Sequence, residues 1–283
     1  MAHTLFRRAK NILRKIAFTT TIFALSFTFT ACNDSSTDAT EKDTPASSSE
    51  ISSESSADTA TNESSSSVID GSVYDNESST LTDLRDNHIY KTVTIDGQTW
   101  MAENLNFKYE HEAGQYDSFC YKNDPDSCAF YGRYYTWDGA MDSDGIYGKK
   151  GKGCGYGFIC NPSGIIRGVC PEGWHLPSVN EWNSLFDYVG GIERAGHRLK
   201  SEKGGWKGAD KPQDSFGFSA IATGYKETNG SFGNLEIKAY FWSSTEDEKF
   251  TAYEVEFSGN FDAAELGTGN KSNGMSVRCL KDL

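Results

Sequence analysis

The chain has 283 residues, a formal net charge of −13, 28 glycines and seven cysteines. Its charge is unevenly spread: residues 1–31 hold five basic residues and no acid, and residues 33–80 hold eleven acids against Lys42 alone. That leaves −8 for 81–283, the difference between the total and the two preceding segments. A folded region this acidic has no basic stripe with which to neutralise phosphates, so nucleic acid is not an expected partner.

The first element is an export signal over residues 1–31. A basic stretch from Arg7 to Lys15 precedes a short apolar run, Ile16 to Phe29, that is diluted by threonines. A spanning helix needs about 20 mostly apolar residues, so this run reads as the core of a signal peptide. Thr30-Ala31-Cys32-Asn33 follows and resembles a lipoprotein cleavage box, with Phe29 where leucine is usual. The resemblance implies that Cys32 becomes the acylated first residue of the mature chain, fixing it to a membrane through lipid. The alternative is an ordinary secretory signal cut nearby.

Residues 32–80 are dominated by Ser, Thr, Asp and Glu, with Ile51, Val68, Ile69, Val73 and Tyr74 as their large apolar residues. Such a segment buries too little surface to offset its ordering entropy and is expected to be a disordered tether. Flexible-chain scaling gives it an r.m.s. reach of about 40 Å.

From residue 81 aromatics, glycines and cysteines arrive together, and 81–283 is the expected folded domain. Ile89, Val93 and Ile95 alternate on one face, Asp96-Gly97 follows, and Gln98 to Met101 makes a second short run: the pattern of a β-hairpin. The domain is therefore expected to open with two antiparallel strands. Residues 108–170, rich in Tyr, Gly and Cys but poor in periodicity, are expected to be long ordered loops held by cross-links.

Setting Cys32 aside leaves Cys120, Cys128, Cys154, Cys160, Cys170 and Cys279. An even six in an exported chain points to three disulfides, although six cysteines allow fifteen connectivities. Proximity suggests Cys120–Cys128 and Cys154–Cys160, leaving Cys170–Cys279. Zinc is disfavoured, since no C-x₂-C pair or Cys/His cluster has the required spacing.

Pro177-Ser178 opens the clearest helix. Ser178 is the N-cap and Glu181 completes a capping box. Val179, Trp182, Leu185, Phe186 and Val189 then recur at helical spacing until Gly190-Gly191 stops the run. Four stretches beyond it read as short strands: Phe216 to Ile221, Ala239 to Ser244, Thr251 to Phe257 and Gly274 to Leu280. The order implies an α+β fold with antiparallel strands, one well-defined helix and long disulfide-stapled loops, preceded by the tether.

Tyr90 to Leu105, Tyr131 to Trp137, Cys170-Pro-Glu-Gly-Trp-His-Leu-Pro177, Phe241 to Thr245 and Ser276-Val-Arg-Cys279 together look like the Fibrobacter succinogenes major paralogous domain, in order and across nearly all of 81–283. The resemblance implies a C-type-lectin-like fold, in which a cysteine ahead of a Trp and a Leu-Pro helix start pairs with a last cysteine on the final strand. That supports Cys170–Cys279. It implies no activity, because one fold hosts many functions.

The tripeptides by which calcium-dependent lectins hold their ion are missing, and Asp142-Ser-Asp144-Gly145 lacks the distal glutamate of a calcium loop, so a solvated turn is expected there. No cofactor or metal is expected. Trp100, Trp137, Trp174, Trp182 and Trp242 lie in apolar stretches and are expected in the core. Trp206, set among glycines, with Tyr225 and Phe232, is the candidate ligand contact. The five histidines form no H-E-x-x-H pair, and His175 is expected to serve in structural hydrogen bonding. The leading expectation is a non-enzymatic binding module on the bacterial outer membrane or cell surface, anchored through Cys32, that recognises polysaccharide or another surface protein. The alternatives are an oxidase or hydrolase on a scaffold like that of the formylglycine-generating enzymes, and a structural envelope protein.

Overall fold

Asp96 and Gly97 both take positive φ in the computed structural model, which describes residues 70–110 and 118–283, and their turn joins β3 to β4 in the expected hairpin. The signal segment, Cys32 and residues 33–69 of the tether lie outside the described residues. The folded part begins earlier than the boundary at 81. Strands β1 (Ser72–Asp75) and β2 (Thr80–Asp83) precede β3 (His88–Ile95) and β4 (Gln98–Met101), each antiparallel to the next. Val73 and Tyr74, counted in the tether, supply β1; Leu81 of β2 is buried in the core, which offsets the ordering entropy.

The central region holds more regular structure than expected. It contains β5 (Ser118–Phe119), α1 (Pro125–Tyr131), β6 (Tyr134–Tyr135) and α2 (Trp137–Ala140) before a long loop to β7 (Trp174–His175). Asp124 caps α1, its side chain accepting from Asp126 N, and Pro125 stands at the first helical position, where a missing N–H costs nothing.

The capping box forms at α3 (Val179–Tyr188): Ser178 Oγ accepts from Glu181 N at 3.3 Å and Glu181 Oε2 accepts from Ser178 N at 2.7 Å. Gly190 and Gly191, both at positive φ, end it but also start α4 (Ile192–Leu199), which the glycine pair masked in the sequence. The well-defined helix expected is thus joined by three further α-helices among the described residues. The stretch 216–221 is not a strand, because Gly217 and Ser219 take left-handed φ. After the ribbon of β8 (Tyr225–Lys226) and β9 (Phe232–Gly233) come β10 (Lys238–Glu246), β11 (Thr251–Ser258) and β12 (Ala264–Asn270). The last expected strand is split between β13 (Met275–Ser276) and β14 (Leu280–Lys281).

Two six-stranded sheets result, ordered β1-β2-β3-β4-β14-β7 and β12-β11-β10-β13-β6-β5. Pairing is antiparallel except between β10 and β13. Alternation along a strand sends successive side chains to opposite faces, so the same strands feed two cores. Met101, Tyr240, Trp242 and Cys279 enter one; Trp100, Phe241, Val255 and Leu280 enter the other, where Trp182 and Phe186 of α3 cover them. The five tryptophans assigned to the core are at most 1% exposed.

Three disulfides close: Cys120–Cys128, Cys154–Cys160 and Cys170–Cys279. Both cores and all three bridges lie within one compact unit, Glu63–Leu283, which contains what a domain needs to fold by itself. Disulfides of this kind persist in oxidising, extracytoplasmic compartments. Among the described residues no helix is long and apolar enough to cross a membrane.

Candidate functional site

Strand β3 presents Ile89, Lys91, Val93 and Ile95 on one face, as the alternation implied, but the second core covers only its far end. Ile95 is buried and Val93 is half-buried, while Ile89 stays 60% exposed. The uncovered half forms one wall of a groove of about 630 Å³. Segment 102–106, the C-terminal end of α1 and the loop around Ser219 complete it, and Phe130 of α1, also 60% exposed, faces onto it.

Two residues that line this groove carry a buried polar atom with no hydrogen-bond partner among the described residues: Thr92 Oγ1, on the face of β3 opposite to Ile89 and Val93, and Asn106 Oδ1. Buried polar groups are almost always hydrogen-bonded, because leaving one unpaired costs about 1–3 kcal/mol. The groove itself sets exposed apolar side chains, Ile89 and Phe130, among polar ones, Lys91, Glu103 and Asn104. Lys91 and Glu103 form an ion pair at 3.5 Å on the rim.

The floor is Arg278, fully buried yet without a carboxylate in contact. Its guanidinium donates to Asn104 Oδ1 at 2.9 Å, to Ser219 O at 2.8 Å and to Phe218 O, and lies 4.5 Å over the Phe218 ring. Burial holds its pKa below the usual guanidine range, with Asp214 and Glu103 acting in the opposite direction. Asn104 in turn donates to Tyr131 O at 2.9 Å. The cation thus ties together three segments distant in sequence and sets the position of the groove's far wall.

A second pocket, about 480 Å³, lies between the start of α3 and the loop at 161–166. Its charged groups are already engaged. Glu246 accepts from the backbone N–H of Cys160 and Asn161 and from the Lys271 ammonium at 2.5 Å, which pins the loop closed by Cys154–Cys160. His175 Nδ1 lies 2.6 Å from Asp282 Oδ1 and its Nε2 2.9 Å from Glu181 Oε1. Carboxylates only accept, so the arrangement favours the protonated ring, which donates from both nitrogens. Burial opposes that charge, but the hydrogen bonds and charges of Glu181 and Asp282 outweigh it and raise the His175 pKa above 6.5; burial would raise Glu181, but hydrogen bonds from His175 and Ser178 outweigh it and lower its pKa below 4.5.

The signs fix a stability window. His175 stabilises the fold below about pH 6.5, and that contribution is lost as pH rises through its raised value. Glu181 stabilises above about pH 4.5, a contribution lost as pH falls through its depressed value. Urea denaturation across this range is expected to show stability falling on both sides for the native domain, with the alkaline fall absent in His175→Gln; identical alkaline slopes in the two proteins would contradict the assignment.

The structure does not bring Trp206, Tyr225 and Phe232 together, and none of them lines either pocket. Trp206 is half-buried, donating from Nε1 to Ala220 O at 3.1 Å and packing on the second core. Tyr225 and Phe232 share the β8–β9 ribbon, where Tyr225 packs on Tyr240 and Phe232 on Tyr121 and Tyr134. Asp142 does not sit in a solvated turn. It is fully buried and accepts from the backbone of Ile146, Tyr147 and Gly148 and from Tyr109 Oη, with burial raising its pKa despite those donors. His197, Asp210 and Asp262 offer oxygen and nitrogen atoms within 4.8 Å of one another, but the buried Lys200 ammonium already lies 2.5 Å from Asp210. Disulfides engage all six cysteines of the domain, leaving no thiolate there for cysteine-based oxidation.

Sequence reasoning missed Thr92, Asn106 and Phe130 as site residues. Phe130 carried a weak signal: it directly follows Ala129 in α1, whose only buried residue is Cys128, so its ring has no core to enter. The family model for the Fibrobacter succinogenes major domain matches residues 93–281. No curated protein and no solved structure matches the chain.

Proposed function

The chain belongs to the Fibrobacter succinogenes major domain family, and from that premise we propose that it is a lipid-anchored, extracytoplasmic binding module whose groove holds a segment of polysaccharide. The observation that carries this is the groove itself, in which the exposed Ile89 and Phe130 side chains stand among the polar groups of Lys91, Glu103 and Asn104. A hydroxyl-rich chain supplies donors and acceptors to the polar groups and a C–H face to the Phe130 ring. The scaffold is read as C-type-lectin-like: the segment from Cys170 through Trp174 and Leu176-Pro177 runs into α3, and its cysteine is bonded to Cys279 just before the final strand. Cys32 carries the lipid in this reading, and the protein belongs to the outer membrane or cell surface. Its role is recognition rather than catalysis.

The test uses residues 63–283 on a panel of insoluble polysaccharides. Retention on at least one is expected, and Phe130→Ala is expected to weaken it about tenfold, on the scale of one aromatic contact. If the folded domain is retained on none of them, the polysaccharide assignment fails, and crosslinking on intact cells then asks for a protein partner.

A further inference from the structure

Residues 145–168 contain Lys149, Lys150, Lys152 and Arg167 and no acidic residue, in a chain of net charge −13. Arg167 is paired with Asp70, so the three lysines, all exposed, carry the uncompensated charge of this stretch. Beside them the loop raises apolar side chains into solvent: Phe158 is 65% exposed, Ile159 61% and Ile165 50%. The Lys150 ammonium lies over Gly164, next to Ile165, and Gly157 N donates to Lys249 O at 3.0 Å. That bond brings the Tyr156 ring to 5.0 Å from Phe250, which is also exposed. Exposed basic and apolar side chains are thus interspersed along one loop, with Phe250 packed against it.

The apolar tips are held out by construction. Cys154–Cys160 closes the loop, Glu246 receives the N–H groups of Cys160 and Asn161, and buried Lys271 donates to Phe158 O at 3.0 Å. Fixed from beneath in this way, Phe158 and Ile159 cannot fold back into either core. A contiguous exposed apolar patch on a domain marks an interaction surface. Ile159 and Ile165 offer no hydrogen bonds to a sugar, and the lysine rim is complementary to negative charge.

We propose that the loop from Gly145 to Gly168, together with Phe250, is a docking surface for an anionic lipid bilayer. The apolar tips enter the boundary between headgroups and acyl chains, and Lys149, Lys150 and Lys152 meet the lipid phosphates. Asp247 and Glu248, both exposed, precede Phe250 by three and two residues. This contact is separate from the groove and from any lipid on Cys32, since it resides entirely in the folded unit. For a tethered domain it would add a second hold on the same membrane, raising the stability of attachment by effective concentration.

The test is co-sedimentation of residues 63–283, which lack Cys32, with phosphatidylcholine vesicles prepared with and without phosphatidylglycerol. Binding is expected to the anionic vesicles and to weaken with added salt. Each lysine near such a surface contributes about fivefold, so Lys149→Ser, Lys150→Ser and Lys152→Ser together are expected to reduce binding by about a hundredfold. Phe158→Ser with Ile159→Ser is expected to reduce it independently, and near-ultraviolet circular dichroism reports whether each variant keeps its core. No binding to anionic vesicles by the folded domain, or binding that neither set of substitutions changes, would overturn the proposal. So would capture of a protein through residue 158 on intact cells with no vesicle binding. Polysaccharide retention is measured separately, so failure here leaves the groove's function standing or falling by itself.

Discussion

Replacing Cys170 and Cys279 together by alanine is expected to lower the domain's unfolding free energy by about 4–5 kcal/mol, measured by urea denaturation under oxidising conditions. The bridge closes a span of 109 residues, and in the chain-entropy model the freedom it removes from the unfolded state grows with the logarithm of that span. Cys120–Cys128 and Cys154–Cys160 span 8 and 6 residues, so removing either is expected to cost only about 2 kcal/mol. Both Cys170 and Cys279 are fully buried in the first core, which makes the bridge a packing element as well. A domain of ordinary marginal stability would lose much of its reserve with this one change. Equal losses from the long and the short bridges would show that native packing, rather than unfolded-state freedom, governs their effect.

Arg278→Met is expected to cost about 3–5 kcal/mol and to loosen the groove at the same time. Methionine fills much of the volume but leaves Asn104 Oδ1 and the carbonyls of Phe218 and Ser219 without the donors they have now, each unpaired buried acceptor costing about 1–3 kcal/mol. Part of this is offset because a buried cation no longer has to be desolvated. Arg278→Lys separates the two contributions. It keeps the charge but cannot reproduce the planar fork that reaches several acceptors at once, so it is expected to destabilise as well. Ser219 and Asn104 line the groove, so both variants are also expected to weaken polysaccharide retention. Unchanged stability in Arg278→Met would mean that relief of desolvation cancels the lost hydrogen bonds, and that the arginine is kept for the site rather than for the fold.

The elements that were legible in the sequence are those whose causes are local. Asp96-Gly97 favours positive φ at both turn positions whatever surrounds it, and Ser178 with Glu181 satisfies the first helical N–H groups within four residues. The strands at 239–244 and 251–257 were visible for the same reason, as runs of β-forming side chains. The stretch 216–221 misled because it has strand composition while Gly217 and Ser219 turn the chain through left-handed conformations to serve Arg278. Tyr74 was counted in the tether because the residue it packs against, Trp174, comes a hundred residues later in the chain.

By itself the sequence determined the class of fold, the even set of six cysteines, which tryptophans are buried and the capped helix, because composition and short-range spacing suffice for each. Only the tertiary structure decided which residues line a groove. Thr92, Asn106, Phe130 and Arg278 belong to four segments with no spacing in common, and Ile89 shares a face with buried Ile95 yet remains exposed. Whether a side chain on an alternating strand is covered depends on how far the neighbouring layer extends, and here the cover of α3 and its core ends before Ile89.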